Sequence, residues 1–168
     1  ANDFYAEHEE WGLVYDGKLQ QISRNTTNIQ PAPTRTIAIQ QFIQLYDAIF
    51  APHRWYQPFS AEEVEQLLAD TTDLHFLMED GQPIGFAWLR MEGDVGEIEP
   101  IGVLPTHQGR GNGRFLLQYA INQLQERGAT QVKIGVWREN KTAVSLYQSV
   151  GFRHRETLTY YALDIKKT

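Results

Sequence analysis

Cysteine is missing from all 168 residues. Its absence excludes disulfides, a cysteine nucleophile and thiolate metal ligands. Long apolar runs are missing as well. None approaches the ~18 residues that a membrane-spanning helix needs, so no membrane partner is expected. Positive charge is scarce: 15 Lys and Arg stand against 21 Asp and Glu, for a net charge of -6. With no Lys/Arg run to follow phosphates, nucleic acid is not an expected partner. The acidic balance is compatible with a cationic substrate, as it is with many soluble proteins. His8, His75, His107 and His154 are scattered without metal-ligand spacing, and no metal is expected. The opening "ANDFYAEHEE" has neither a signal-peptide pattern nor an initiator Met, which fits a processed chain or a piece of a longer one. Internal repeats and low-complexity tracts are also lacking.

An apolar content of 42% over this length suits one globular domain, or one domain plus a short appendage. "WGLVYDGKLQQI" (11–22) reads as a hairpin turned at Asp16-Gly17. "SRNTTNIQPAPT" (23–34) reads as a polar linker or loop with a short strand near Ile29. Ile39, Phe42, Ile43, Tyr46, Ile49 and Phe50 fall at helical spacing, in a helix that ends before Pro52. "PHRWYQP" (52–58) is a loop, and Ser60 with Glu63 forms a capping box for a second helix through Val64, Leu67 and Leu68. "LHFLMEDGQPIGFAWLRM" (74–91) is a second hairpin, turned at Asp80-Gly81. "VGEIEPIGV" (95–103) is a strand in which Pro100 cannot donate to the ladder, so a bulge or splay is expected there. A helix presenting Leu117, Ala120, Ile121 and Leu124 stops at Gly128. "QVKIGV" (131–136) alternates as a strand, "NKTAVSLYQSV" (140–150) is a short helix stopped by Gly151, and "TLTYYALDI" (157–165) is a last strand. The class is α+β, in the order ββ-β-αα-βββ-α-β-α-ββ.

Between the strand at 95–103 and the next helix lies "QGRGNGR", in which Gly109, Gly111 and Gly113 alternate with Arg110, Asn112 and Arg114. A helix start carries unpaired N–H groups and the positive end of the dipole. Glycines let a ligand approach the backbone without a Cβ in the way, and arginines add charge. The physical reading is a phosphate or pyrophosphate cradle; the plain alternative is a glycine-rich turn with no ligand. The P-loop pattern fails because no Gly-Lys-Ser/Thr follows, and the dinucleotide fingerprint fails on spacing.

Gln108-x-x-Gly111-x-Gly113, followed by Asn140-x-x-Ala143-x-x-Leu146-Tyr147-x-x-x-Gly151-Phe152, resembles the GNAT superfamily of acyl-CoA-dependent N-acyltransferases. The resemblance covers 28–165, best over 74–155, and leaves 1–26 outside. It implies a three-layer α/β/α fold with a mixed, mostly antiparallel sheet whose fourth and fifth strands, here 95–103 and 131–136, splay apart. It implies acetyl-CoA as co-substrate. Main-chain groups of Ile101, Gly102 and Val103 would pair with the pantetheine arm, the N–H groups of 109–114 would hold the pyrophosphate, and Asn140 would hydrogen-bond the arm. One departure stands out: some relatives that acetylate protein N-termini carry Glu five residues before the motif Asn, where this chain has Gly135.

Acyl transfer to an amine needs a base, because an alkylammonium with a pKa of about 10.4 is mostly charged at neutral pH. It also needs a donor to the developing oxyanion, for which the resemblance implies a main-chain N–H near Val103, and an acid for the leaving thiolate. Tyr147, two helical turns beyond Asn140, is the candidate acid by resemblance; packing that helix on the core is its plain alternative. Glu97 and then Glu99 are the candidate bases, through an ordered water. Two apart on a strand, they share a face unless the Pro100 bulge intervenes, and two close carboxylates would raise the pKa of one of them. Ion pairs to Arg90 or Arg138 are the alternative. His53, Arg54, Trp55 and Tyr56 are expected to wall an acceptor pocket, with the aromatics either clamping an amine or pinning the loop.

The expectation is an acetyl-CoA-dependent N-acetyltransferase domain over 27–168, acting on a small-molecule or protein amine in the cytoplasm. Residues 1–26 would be an N-terminal extension, a hairpin left from a preceding domain or a dimer arm, with a homodimer as the oligomeric guess. The rival is a non-catalytic acyl-CoA-binding or regulatory module on the same fold.

Overall fold

The computed structural model describes residues 4–22, 27–69 and 72–163. In chain order the elements are β1 (Phe4–Tyr15), β2 (Asn28–Pro31), α1 (Arg35–Phe50), α2 (Ala61–Ala69), β3 (Thr72–Glu79), β4 (Gln82–Glu92), β5 (Val95–Val103), α3 (Asn112–Glu126), β6 (Gln131–Trp137), α4 (Lys141–Val150) and β7 (Arg153–Leu163). The strands form one sheet in the order β2-β3-β4-β5-β6-β1-β7. All neighbours are antiparallel except β5 and β6, which are parallel.

Local chemistry explains most boundaries. The β3–β4 turn falls at Asp80 and Gly81, both at positive φ (48° and 75°), as a tight hairpin requires. At the start of α2, the Ser60 N–H donates to Glu63 Oε2 (2.7 Å) and the Glu63 N–H to Ser60 Oγ (3.2 Å), which is the expected capping box. Gly151, at φ 118°, ends α4 where a side chain would strain. Ile84 through Leu89 of β4 are buried on both faces, so each face needs a covering layer. Helices α3 and α4 cover one, packing Leu117, Ile121 and Leu124 onto Leu89, Ile98 and Ile134. Helices α1 and α2 cover the other through Phe42, Phe86 and Trp88. Phe42 has no exposed surface and meets both Phe86 and Trp88 edge-on at 5.0 and 4.8 Å. Phe42→Ala is expected to cost about 3–5 kcal/mol in denaturant unfolding, the usual range for a fully buried aromatic.

The hairpin expected over 11–22 does not form. Residues 4–15 are one long strand, inserted between β6 and β7. Its ladder partners are Val132 through Trp137 on one side and Arg153 through Leu163 on the other. The chain past Asp16 cannot fold back, because α3 claims it. Asn122 exchanges two hydrogen bonds with the Gln20 backbone (2.7 and 2.9 Å), and Gln125 donates to the Gly17 carbonyl (2.7 Å). The expected strand pair at the chain's end is likewise one strand, β7, starting at Arg153. Residues 1–3 and 23–26 of the expected extension and linker, and 164–165 of the expected last strand, lie outside the described residues.

The Pro100 irregularity shapes the site. In the β4–β5 ladder Leu89 faces Ile98 and Ala87 faces Ile101, so Glu99 and Pro100 together stand opposite Trp88 as a bulge. On its other edge β5 pairs with β6 only over Val95–Glu97. Beyond that point the two parallel strands part.

Candidate active site

The parting of β5 and β6 opens a cleft of about 700 Å³. Its β5 wall includes Glu99, Ile101, Gly102 and Val103, and its far wall Gly135, Val136 and Trp137 of β6. Beyond Glu97, β5 has no ladder partner on this side among the described residues, so its main chain is free to take an extended ligand as a strand-like neighbour. At one end lies the turn into α3. Gly109 and Gly111 hold φ of 75° and 81°, and a Cβ on either would meet nothing within 4 Å. Gly111 is the N-cap of α3, and among the described residues no side chain caps that first turn. Uncapped N–H groups, open space over the glycines and Arg114 on the cleft wall fit a pyrophosphate, and the open β5 edge fits a pantetheine arm.

The residues expected around this turn divide. Gly109, Gly111, Gly113 and Arg114 line the cleft. The Arg114 guanidinium donates to Ser149 Oγ at 2.6 Å, which holds it along α4. Arg110 is exposed, reaches back to the Thr106 carbonyl at 3.4 Å, and does not line the cleft. The Asn112 side chain is buried under the turn and donates to the His107 carbonyl (3.0 Å), bracing the loop instead of facing a ligand. Gln108 braces it too, donating to the Val103 carbonyl at 2.9 Å. Asn140 lines the cleft, but its side-chain oxygen is committed to capping α4 through the Ala143 N–H (3.2 Å).

At the splay point the carboxylates separate by environment. Glu97 is ion-paired with Arg90 of β4, and Arg138 pairs with Glu9 at 2.7 Å. Glu99 is exposed in the cleft, and among the described residues no cation is paired to it. Desolvation, then the charges of Glu10 and Glu97, push its pKa up to about 7, against a smaller opposite pull from Arg90. Across the cleft, Tyr147 of α4 is buried, and its pKa is pushed upward by desolvation and then by Glu99. Tyr46 of α1 also lines the cleft, and its pKa is raised by burial, Asp47 and Glu99 in that order.

The α1–α2 loop brings His53 and Trp55 to the cleft. Arg54 is exposed, with its guanidinium 5.3 Å from the Trp55 ring centre. Tyr56 supports from behind, donating to Asp47 and lying 5.9 Å from the Tyr46 ring. Three participants escaped the sequence reading. His8 of β1 stacks between Trp55 (4.3 Å) and Tyr160 (4.4 Å), joining the loop to the β1–β7 ladder. Trp137 packs edge-on against Trp55 at 6.1 Å. Glu10 of β1 lies beside Glu99 at the cleft floor. The only sequence signal for Glu10 was a charged position in the alternating run "HEEWGLVY".

A mixed sheet that parts beside a glycine-lined helix start, with a cleft carboxylate facing a buried tyrosine, is the frame of an acyl-coenzyme A-dependent acyltransferase. The sequence profile of the acetyltransferase (GNAT) family matches residues 39–152, and the chain belongs to that family, whose members take their acetyl group from acetyl-CoA. It is 37% identical over 171 residues to a mycothiol acetyltransferase of Streptomyces avermitilis, covering 91% of this chain and 56% of that protein. It is 34% identical over 121 residues to a mycothiol acetyltransferase of Thermomonospora curvata, covering 69% of this chain and 39% of that one. The chain thus spans about half the length, or less, of these two relatives. In fold it resembles a GCN5-related N-acetyltransferase from Sphaerobacter thermophilus, with a TM-score of 0.73 at 18% identity, covering 95% of this chain and 51% of that one. Among the described residues no helix is long and apolar enough to cross a membrane.

Proposed function

We propose that this chain transfers an acetyl group from acetyl-CoA to a primary amine by direct attack in a ternary complex, with Glu99 as base and Tyr147 as acid. The observation that carries the reading is the convergence, in one cleft, of an open β5 edge, a bare helix start, a raised-pKa carboxylate and a buried phenol. When bound, acetyl-CoA supplies the acetyl group as an activated thioester. Ile101, Gly102 and Val103 then offer their main chain to the arm, and the N–H groups at 109–114 hold the diphosphate.

Glu99 takes the ammonium proton, directly or through one water. A carboxylate poised near 7 is ionised often enough to accept a proton and basic enough to keep it. The buried Tyr147 phenol keeps its proton at working pH and delivers it to the departing sulfur. Glu97, held by Arg90, shapes the field around Glu99 and does not itself relay the proton. Tyr46, His53 and Trp55 form the acceptor wall. Because the sequence relatives are named mycothiol acetyltransferases, amine precursors of mycothiol are the first acceptors to assay.

The test is calorimetric titration of CoA, followed by thiol release over an amine panel. CoA binding with turnover of at least one amine is expected. Gly111→Ala, which places a Cβ in the cradle at φ 81°, is expected to weaken CoA by about tenfold or more, from left-handed strain plus blocked approach. Binding without turnover of any amine would favour a non-catalytic acyl-CoA-binding module, and no binding would remove both readings.

A further inference from the structure

The floor of the cleft is set by a glycine that is not in a turn. Gly135 lies mid-strand in β6, outside the left-handed region, so its backbone would accept any residue. Its surroundings would not. A Cβ there would stand 2.6 Å from Glu10 Oε1 and 3.2 and 3.3 Å from the two Glu99 oxygens. Two carboxylates from different strands converge over a position that has no side chain.

The strand that delivers Glu10 is β1, outside the 39–152 stretch that carries the family match. In its ladder with β6, Gly12 faces Gly135 and Glu10 faces Trp137, which aims Glu10 toward the cleft floor. The Tyr160 hydroxyl of β7 donates to Glu10 Oε2 at 3.3 Å and steadies it from the other side. Arg90 is engaged by Glu97 and Arg138 by Glu9, and among the described residues neither Lys133 nor Arg155, which line a neighbouring cavity with this pair, is ion-paired to either carboxylate. The floor therefore offers two negative charges and aromatic walls from Tyr46, Trp55 and Trp137.

We propose that Glu10 is a positioning and specificity residue of the acceptor site, forming with Glu99 a two-carboxylate seat over Gly135 that selects a primary ammonium carrying no carboxylate beside it. This rests on the acetyltransferase reading of the same cleft. An ammonium between two carboxylates is held by both charges and by the aromatic faces, whereas a carboxylate on the neighbouring carbon meets like charge. The seat also accounts for Gly135, because a side chain there would displace one carboxylate or the other. It also ties the field felt by Glu99 to β1, since Glu10 is the largest charge acting on it.

The experiment uses the full chain saturated with CoA, with alaninamide and alanine as probes. The Gly135 amide resonance reports binding, and thiol release from acetyl-CoA reports turnover. Wild type is expected to bind alaninamide about tenfold or more tightly than alanine. Glu10→Gln is expected to reduce that preference to about threefold or less, raising KM for the amide with kcat changed far less. The double variant Glu10→Ala with Gly135→Glu, which brings the carboxylate from β6 instead of β1, is expected to restore the preference. Equal binding of the two probes to wild type, no shift of the Gly135 resonance by either, or an unchanged preference in Glu10→Gln would each overturn the proposal. The base reading fails separately. If Glu99→Gln is inactive while Glu10→Gln keeps the wild-type preference, the seat is wrong and the base stands. If Glu99→Gln stays active while Glu10→Gln loses the preference, the base is wrong and the seat stands.

Discussion

Glu99→Gln is expected to lower kcat/KM by about 10²- to 10⁴-fold, while making the folded chain more resistant to denaturant at neutral pH. The two effects share one cause. Desolvation, Glu10 and Glu97 raise the Glu99 pKa to about 7, with Arg90 opposing. The folded chain therefore keeps this proton at pH values where the unfolded chain has already released it. The stability contributed by the proton is fully present below the ordinary carboxylate range and is lost as the pH rises through about 7. Glutamine does not ionise, so the variant is spared that loss.

Turnover has the opposite slope. Only ionised Glu99 accepts a proton, so wild-type kcat/KM climbs with pH through about 7, and this rising limb disappears in Glu99→Gln. Glu97→Gln removes a like charge and is expected to move the limb to lower pH without abolishing activity. The check is a pH series of kcat/KM on an amine that ionises well above neutrality, alongside denaturant midpoints for the same three proteins. A Glu99→Gln protein with wild-type kcat/KM would end the assignment. Lost activity with a lowered midpoint would point to damaged structure instead of lost chemistry.

The parts of this molecule that could be read in advance are those whose determinants lie close together in the chain. Asp80-Gly81, the Ser60–Glu63 box and Gly151 each state a local backbone requirement, and each is met where expected. The splay was legible for the same reason, since a proline in a strand has one fewer donor wherever that strand goes. The glycine turn and the segment from Asn140 to Phe152 sit on adjacent elements around one helix–strand unit, so their order alone outlined the cleft.

What was hidden depends on pairings distant in sequence. "WGLVYDG" carries every local mark of a hairpin. Whether Asp16-Gly17 turns back depends on Asn122 and Gln125, more than a hundred residues away, which bind the following segment. The place of β1 between β6 and β7 is likewise set by ladders that no window of sequence contains. Glu10 was lost with it. Alternation put Glu97 and Glu99 on one face but could not say which of them meets Arg90.

Tyr147→Phe is expected to reduce kcat by about 10²-fold or more, with CoA affinity and denaturant midpoint near wild type. The substitution removes one oxygen and leaves the ring, with its neighbour Phe152 at 6.1 Å, in place. A tyrosine that served only to pack α4 would leave kcat unchanged, and that result would remove the acid assignment. Desolvation and then Glu99 hold the phenol pKa above its ordinary value, so Tyr147 adds no falling limb to the pH profile at working pH. The shared field also orders the two proton transfers. While Glu99 is ionised, its charge binds the Tyr147 proton more tightly. Once Glu99 has taken the ammonium proton, that hold is released, and the phenol becomes a stronger acid as the sulfur begins to leave. Glu99→Gln is therefore expected to lower the Tyr147 pKa, measurable by ultraviolet titration of the phenolate, and an unchanged pKa would show that the two groups act independently.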